Sequence, residues 1–131
     1  QTHKLIMNIA LWIVQGLLAA AFLMAGSMKL SKSKEELKDQ LGDWVDDFPD
    51  PTIKTIGLLE VLGGVGIILP MLLGILPVLV PVAGIGLALT MAGAMIVHIK
   101  RGEYGALKNN VPLLLLALFV IVGRLVLLPV I

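Results

Sequence analysis

A stretch of 39 residues between Glu60 and Lys100 contains no formally charged side chain, and it limits the possible folds more than any other part of the sequence. As one α-helix it would extend about 58 Å, roughly twice the hydrocarbon thickness of a bilayer. The stretch must therefore turn back on itself. Residues that stop a helix lie near its middle, namely Pro70, Gly74, Pro77 and Pro81. Two apolar spans joined by an uncharged hairpin predict an integral membrane protein.

The composition excludes several classes of function. Of the 131 residues, 58% are hydrophobic and 15% are charged, which is more apolar surface than one soluble core of this size can bury. A net charge of +1 without a basic stripe indicates that there is no nucleic-acid partner. Because the chain has no cysteine, disulfides, thiol redox chemistry and cysteine-based metal sites are excluded. We expect no metal site of another kind, since His3 and His98 are predicted at opposite ends of the fold.

Four segments have the length and hydrophobicity of membrane spans, at about residues 5–28, 53–71, 78–99 and 111–131. The first has 24 uncharged residues, more than the apolar core of a secretory signal peptide, so we interpret it as a retained span. Glycine and alanine recur within the spans at spacings that allow close helix packing. The sequence therefore predicts an all-α fold, a transmembrane four-helix bundle in which residues 1–131 form a single domain.

The one substantial polar segment lies between spans one and two, and it predicts a short amphipathic interfacial helix at about residues 33–48. Ser33 and Glu36 match a capping box, and apolar residues then recur at helical spacing as far as Phe48. Over residues 33–50 there are two lysines and seven acids, a charge that disfavours docking on anionic lipid. We expect this helix to pack against the span ends, either as a lid or as a linker that seals the bundle.

Basic residues are concentrated in the two polar loops, 29–54 and 100–110. These loops carry Lys29, Lys32, Lys34, Lys38, Lys54, Lys100, Arg101 and Lys108. The positive-inside rule therefore places both loops in the cytoplasm and both termini outside, for a multi-pass protein of the cell (inner) membrane.

Three polar residues are predicted near the cytoplasmic end of the bundle. A carboxylate within a span is costly and usually has a function, which makes Glu60 the first candidate. Lys29 ends span one and His98 ends span three on the same side, so the three form a candidate ligand-binding cluster beneath the amphipathic helix. Two alternatives remain open: Glu60 could instead make a hydrogen bond that fixes helix packing, and His98 could lie in the headgroup region.

Gln15 and Arg124 are further candidates at the opposite end. Both are about 20 Å from the cytoplasmic boundary by the rise per residue, so they share a level. Arg124 could bind Gln15, or a carboxylate or carbonyl group of a ligand. Snorkelling of Arg124 to the outer surface explains its position equally well. Trp12 is expected in the outer aromatic belt.

The order of several sequence blocks resembles the DoxX and DoxX-like family of small bacterial four-span membrane proteins. The blocks are residues 22–30 with Lys29, 56–70 with Glu60, 81–94, 98–103 with His98, and the pair 123–124 with Arg124. The resemblance implies a four-helix membrane bundle, in a family named after a subunit associated with a terminal quinol oxidase. The absence of a cysteine pair does not support a disulfide-handling role.

Two functions are expected as alternatives. One is the binding of a small hydrophobic ligand in an intramembrane polar pocket, with a quinone as the candidate cofactor. The other is a non-catalytic membrane subunit or scaffold of an oxidoreductase complex, which holds a membrane or soluble protein partner or a second copy of the chain. The sequence contains no Ser-His-Asp set, HExxH, CxxC, P-loop or dinucleotide fingerprint, and whether the protein catalyses a reaction stays open.

Overall fold

The computed structural model describes residues 1–130, and this part of the chain contains six α-helices and no strand. The helices are α1 (Thr2–Ser31), α2 (Lys34–Leu41), α3 (Asp50–Gly66), α4 (Leu69–Leu73), α5 (Leu79–Lys100) and α6 (Leu107–Val122). A π-helical turn, Gly123–Leu127, continues α6. Four helical segments are long and apolar enough to cross a membrane, namely Thr2–Ser31, Asp50–Leu73, Leu79–Lys100 and Tyr104–Leu127. The predicted four-span, all-α fold is confirmed.

The four spans form a closed bundle in which each span packs against its neighbours in the chain. Helix α1 packs mainly on α3 and α5 mainly on α6, while α3 contacts α5 and α1 contacts α6. Successive spans are thus neighbours in the bundle, which is the up-and-down order of many four-helix bundles. Buried apolar side chains from all four spans, including Leu18, Ile67, Leu87 and Val120, fill the centre. We call the end with residues 32–49 and 101–106 the polar-loop side, and the end with residues 74–78 the hairpin side.

The second span is interrupted just before the hairpin. Helix α3 ends at Gly66, and Pro70 lies in the first turn of α4, where a proline is tolerated because the first backbone N–H groups have no helical acceptor. Gly74 then ends α4 in the left-handed conformation at φ 68°. The break leaves the carbonyl of Ile67 free to accept a hydrogen bond from another helix.

The first and second spans approach each other very closely at two glycines. A Cβ atom added to Gly26 would lie 2.5 Å from the carbonyl oxygen of Gly57, and one added to Gly57 would lie 2.7 Å from Cβ of Lys29. Neither position has room for a side chain. The close backbone packing predicted from small residues is therefore present between α1 and α3.

The interfacial helix is present but shorter than predicted. Its start matches the capping box, since Ser33 Oγ accepts a hydrogen bond from the backbone N–H of Glu36 at 3.3 Å. Helix α2 ends at Leu41 rather than near residue 48, because Gly42 adopts φ 114° and a 3₁₀ turn, Asp43–Asp47, follows. Leu37 and Val45 are fully buried against Ile53 of α3, so this segment packs on the bundle end. The predicted end of span four at residue 131 lies outside the described residues.

Candidate functional site

A cavity of about 610 Å³ lies between the helices at the polar-loop side and is partly open to the surroundings. All four spans line it, together with the segment that follows α2. Most of the lining is apolar. The polar and aromatic side chains that reach it are Phe22, Lys29, Trp44, Phe48, Glu60, Thr90, His98, Asn109 and Asn110.

Lys29 and Glu60 form an ion pair at the wall of this cavity. Lys29 Nζ lies 2.7 Å from Glu60 Oε1, and the two side chains are only 9% and 3% exposed. Each residue follows one of the two contact glycines, Gly26 and Gly57, by three positions and so projects from the same helix face. The close α1–α3 contact therefore brings the two charges together.

Lys54 supports this pair through the backbone. Its ammonium group donates hydrogen bonds to the carbonyl oxygens of Lys29 at 2.6 Å and Lys32 at 2.7 Å. These carbonyls belong to the last turn of α1 and to the residue that follows it, where no helical N–H remains to satisfy them. From the sequence, Lys54 was expected only as a positive charge of the first polar loop, whereas in the structure it caps the end of α1.

His98 lines the same cavity from α5. Its Nδ1 atom is 2.9 Å from Glu103 Oε1, and its ring meets Trp44 edge to face with ring centroids 6.3 Å apart. With 14% of its side chain exposed, His98 is not an open headgroup residue. The structure thus brings Lys29, Glu60 and His98 to the lining of one cavity.

Charged side chains hold the loop after α5 to the turn that carries Trp44. Arg101 forms an ion pair with Asp47 and donates through Nε to Glu103 Oε2 at 3.2 Å. The hydrogen bond to Asp47 raises the pKa of the Arg101 guanidinium above its ordinary value. The hydrogen bond with His98, reinforced by Arg101, lowers the pKa of the Glu103 carboxyl. Glu103 is therefore anionic at neutral pH.

Asn110 is a cavity residue that the sequence analysis missed. Its Nδ2 atom is buried and has no hydrogen-bond partner among residues 1–130. The predicted boundary placed Asn110 in the loop, one residue before span four, whereas α6 begins at Leu107. The signal that could have found it is a polar amide pair, Asn109-Asn110, next to an apolar span.

Gln15 and Arg124 form a separate network toward the hairpin side and do not line the cavity. Arg124 donates through Nε to Gln15 Oε1 and through Nη1 to Asn8 Oδ1, both at 2.8 Å. Gln15 Nε2 in turn donates to the free carbonyl of Ile67 at 2.7 Å. Arg124 is 2% exposed and lies over the Trp12 ring, so it does not snorkel to the surface.

Fold and site together define a class of protein, the four-span membrane bundles with a mostly apolar cavity at one end that holds a few polar side chains. A model of the DoxX-like family matches residues 13–120, and the chain belongs to this family. It is a multi-pass membrane protein. The matched range contains Lys29, Glu60, His98 and Asn110 and ends before Arg124. No curated protein and no solved structure matches the sequence.

Proposed function

We propose that this DoxX-like protein binds a small hydrophobic ligand with a polar head group, such as a quinone, in the cavity on the polar-loop side. The observation that carries the proposal is the cavity itself. Its volume of about 610 Å³ falls in the range of small-molecule sites, roughly 300–1,000 Å³. Mostly apolar walls with a few convergent polar groups are typical of such sites.

The polar groups of the cavity favour a head group that carries a carbonyl oxygen. Asn110 Nδ2 is a buried donor without an acceptor in the described chain, and leaving such a donor unpaired costs free energy. Lys29 has three N–H donors, of which the ion pair with Glu60 uses one. Glu60 offers carboxylate oxygens to a hydroxyl group. A quinone has carbonyl oxygens that accept hydrogen bonds from the donors Asn110 and Lys29. Its reduced form, the quinol, has hydroxyl groups that donate to the acceptor Glu60.

We place the protein in the cell inner membrane with the polar-loop side in the cytoplasm. Support comes from the concentration of lysine and arginine in the two polar loops. In this orientation the cavity lies in the cytoplasmic half of the bilayer.

Tryptophan fluorescence gives a direct test of ligand binding. The chain has two tryptophans, so Trp12→Phe leaves Trp44, which lines the cavity, as the single reporter. Titration of this variant in quinone-free nanodiscs with a short-chain naphthoquinone is expected to quench Trp44 saturably. The Trp44→Phe protein reports from Trp12 near the hairpin side, and we expect only the linear quenching produced by probe dissolved in lipid.

A cavity-filling substitution separates the site from the lipid. Gly93 is an exposed residue that lines the open part of the cavity, and a Cβ atom added there meets no atom within 4 Å, so Gly93→Leu adds a side chain at the cavity without a clash. Gly16→Leu is the matched control, because Gly16 is an exposed position of α1 with equally free space that does not line the cavity. We expect Gly93→Leu to abolish saturable quenching and Gly16→Leu to preserve it. Equal saturation in both proteins would contradict the proposal.

A second candidate is a non-catalytic subunit that holds a protein partner. It is favoured by the acidic side chains of the interfacial segment that make no ion pair among residues 1–130, which are Glu35, Glu36, Asp39, Asp43 and Asp50. Native mass spectrometry of the protein extracted from its own membrane distinguishes the candidates. A bound small molecule supports the first function, whereas a second polypeptide that is lost when these acids are neutralised supports the second.

A further inference from the structure

His98 connects the cavity to the water-exposed loop on the polar-loop side. Its ring lines the cavity, and its Nδ1 atom is bound to Glu103, whose side chain is one-third exposed. An anionic carboxylate only accepts hydrogen bonds, so Nδ1 carries the proton of the neutral ring. Nε2 is then the ring nitrogen with a free lone pair for a group in the cavity. A histidine held by a carboxylate in this way is oriented as a base.

We propose that His98 Nε2 is the base that takes the hydroxyl proton of the ligand, with Glu103 as its positioning residue; this inference rests on the proposed function. The ligand class is a hydroxyquinone or quinol. In the step the ligand O–H bond breaks and an Nε2–H bond forms. The electron pair of the broken bond stays on the ligand oxygen, and the reverse transfer restores the neutral pair. No oxidant or reductant takes part.

The surrounding charges favour the products of this step. The imidazolium that forms faces the Glu103 carboxylate at 2.9 Å. Lys29 and Glu60 line the same cavity as an ion pair at 2.7 Å, so their charges compensate one another and the ligand oxyanion meets no unpaired carboxylate there. Outside the cavity, Arg101 and Asp47 compensate one another, and Lys100, two residues after His98, is exposed.

Arg101 keeps Glu103 in place for this task. It binds the second carboxylate oxygen of Glu103 while Asp47 binds Arg101 from the interfacial segment. The order of contacts is thus Asp47, Arg101, Glu103 and His98, from the surface to the cavity wall. Each of these residues holds the next, and only His98 lines the cavity.

The test uses two naphthoquinone probes with the whole protein in nanodiscs. One is a 2-hydroxy-3-alkyl-1,4-naphthoquinone, whose visible absorption changes when its hydroxyl group ionises. The other is the 2-methyl-3-alkyl analogue, which has no proton to lose. The measurements are the binding of both probes by Trp44 quenching and the pH midpoint for ionisation of the bound hydroxyl probe. The proteins are wild type, His98→Gln, Glu103→Gln and the control Asp39→Asn.

We expect His98→Gln to raise the ionisation midpoint of the bound hydroxyl probe by about one pH unit, a tenfold change in its ionisation constant. Its affinity for the methyl probe should stay near that of wild type. Glu103→Gln should raise the midpoint by less, because the ring remains but loses its anionic partner. Asp39→Asn removes the same charge from an exposed site on α2 and should leave the midpoint unchanged.

The outcomes separate this inference from the proposed function. If the methyl probe fails to bind wild type saturably, the ligand-binding proposal itself is contradicted. If both probes bind and the midpoint is the same in wild type and His98→Gln, the role of His98 as a base is overturned while the binding site stands. Should His98→Gln not fold, Glu103→Gln tests the pair instead. If Glu103→Gln shifts the ionisation midpoint of the bound hydroxyl probe no more than Asp39→Asn does, the assignment of His98 and Glu103 as base and positioning residue is overturned.

Discussion

At the scale of single residues, the ion pair of Lys29 and Glu60 poses the main energetic question. Both side chains are almost completely buried, so each has lost the hydration that stabilises a charge in water. Their attraction offsets that loss only while both are present. The pair therefore contributes little net stability in itself, but losing one member leaves an uncompensated charge.

This asymmetry predicts the behaviour of single and double variants. Lys29→Met or Glu60→Gln alone should lower the free energy of unfolding by about 3 kcal/mol, because each strands the other group. The double variant should recover part of that loss. Denaturation in detergent, followed by circular dichroism, measures all three. The exposed pair Lys38–Asp46, at 2.6 Å, serves as the control, and its removal should have no measurable effect. Additive losses in the double variant would contradict this account.

A second prediction at this scale concerns Arg124, whose planar guanidinium donates hydrogen bonds from two of its nitrogens. Nε and Nη1 donate to two oxygens on α1, from Gln15 and Asn8. A lysine ammonium cannot reproduce that fork. We expect Arg124→Lys to lower the free energy of unfolding by about 1–3 kcal/mol, the cost of a lost buried hydrogen bond. A double-mutant cycle with Gln15→Leu should give a clear coupling energy, and a coupling near zero would refute the assignment.

The site residues divide into those that the sequence could identify and those that it could not. Glu60 stood out because a carboxylate in a span is costly, and Lys29 and His98 followed because they end spans on the same side. Asn110 and Asn8 are uncharged and lie near predicted span ends, where polar residues are ordinary. Their importance depends on which atoms lie opposite them, and only the packed structure provides that information.

At the scale of elements, the interfacial segment shows why a periodic pattern overestimated a helix. Apolar residues recur at helical spacing both before and after Gly42, as they would in one unbroken helix. In the structure a 3₁₀ turn replaces the second half, yet Leu37 and Val45 still reach the same buried cluster. The pattern of burial was therefore predictable, whereas the break was not. Gly42 was its only local sign, since φ 114° is unfavourable for other residues.

The contact between α1 and α3 gives an element-level prediction with an internal control. Gly26→Ala should destabilise the bundle, because the new methyl group would overlap the carbonyl of Gly57 and force the helices apart. It should also weaken the Lys29–Glu60 pair, which depends on the same contact. Gly16→Ala, in the same helix with nothing within 4 Å, should be neutral or slightly stabilising, because alanine favours helix. Thermal unfolding in detergent compares the two, and equal midpoints would contradict this view.

At the scale of the whole molecule, the charges are strongly asymmetric. All nine acidic side chains fall at positions 35–60 and at 103, on or near the polar-loop side. Toward the hairpin side, Arg124 is buried among neutral partners. The cavity, its ion pair and His98 therefore share the end of the bundle where the loop charges are. Any proton that His98 exchanges with water would pass to the compartment that this side faces.

The orientation of the bundle decides which compartment that is, and cysteine labelling can establish it. The chain contains no cysteine, so single-cysteine variants report without background. Asp39→Cys marks the polar-loop side, and Ile75→Cys, at a 62% exposed position, marks the hairpin side. In spheroplasts treated with a membrane-impermeant maleimide, we expect Ile75→Cys to react at once and Asp39→Cys only after the membrane is permeabilised. The opposite pattern would reverse the positive-inside assignment and make His98 exchange protons with the outer compartment, while the intramembrane geometry of the site would be unchanged.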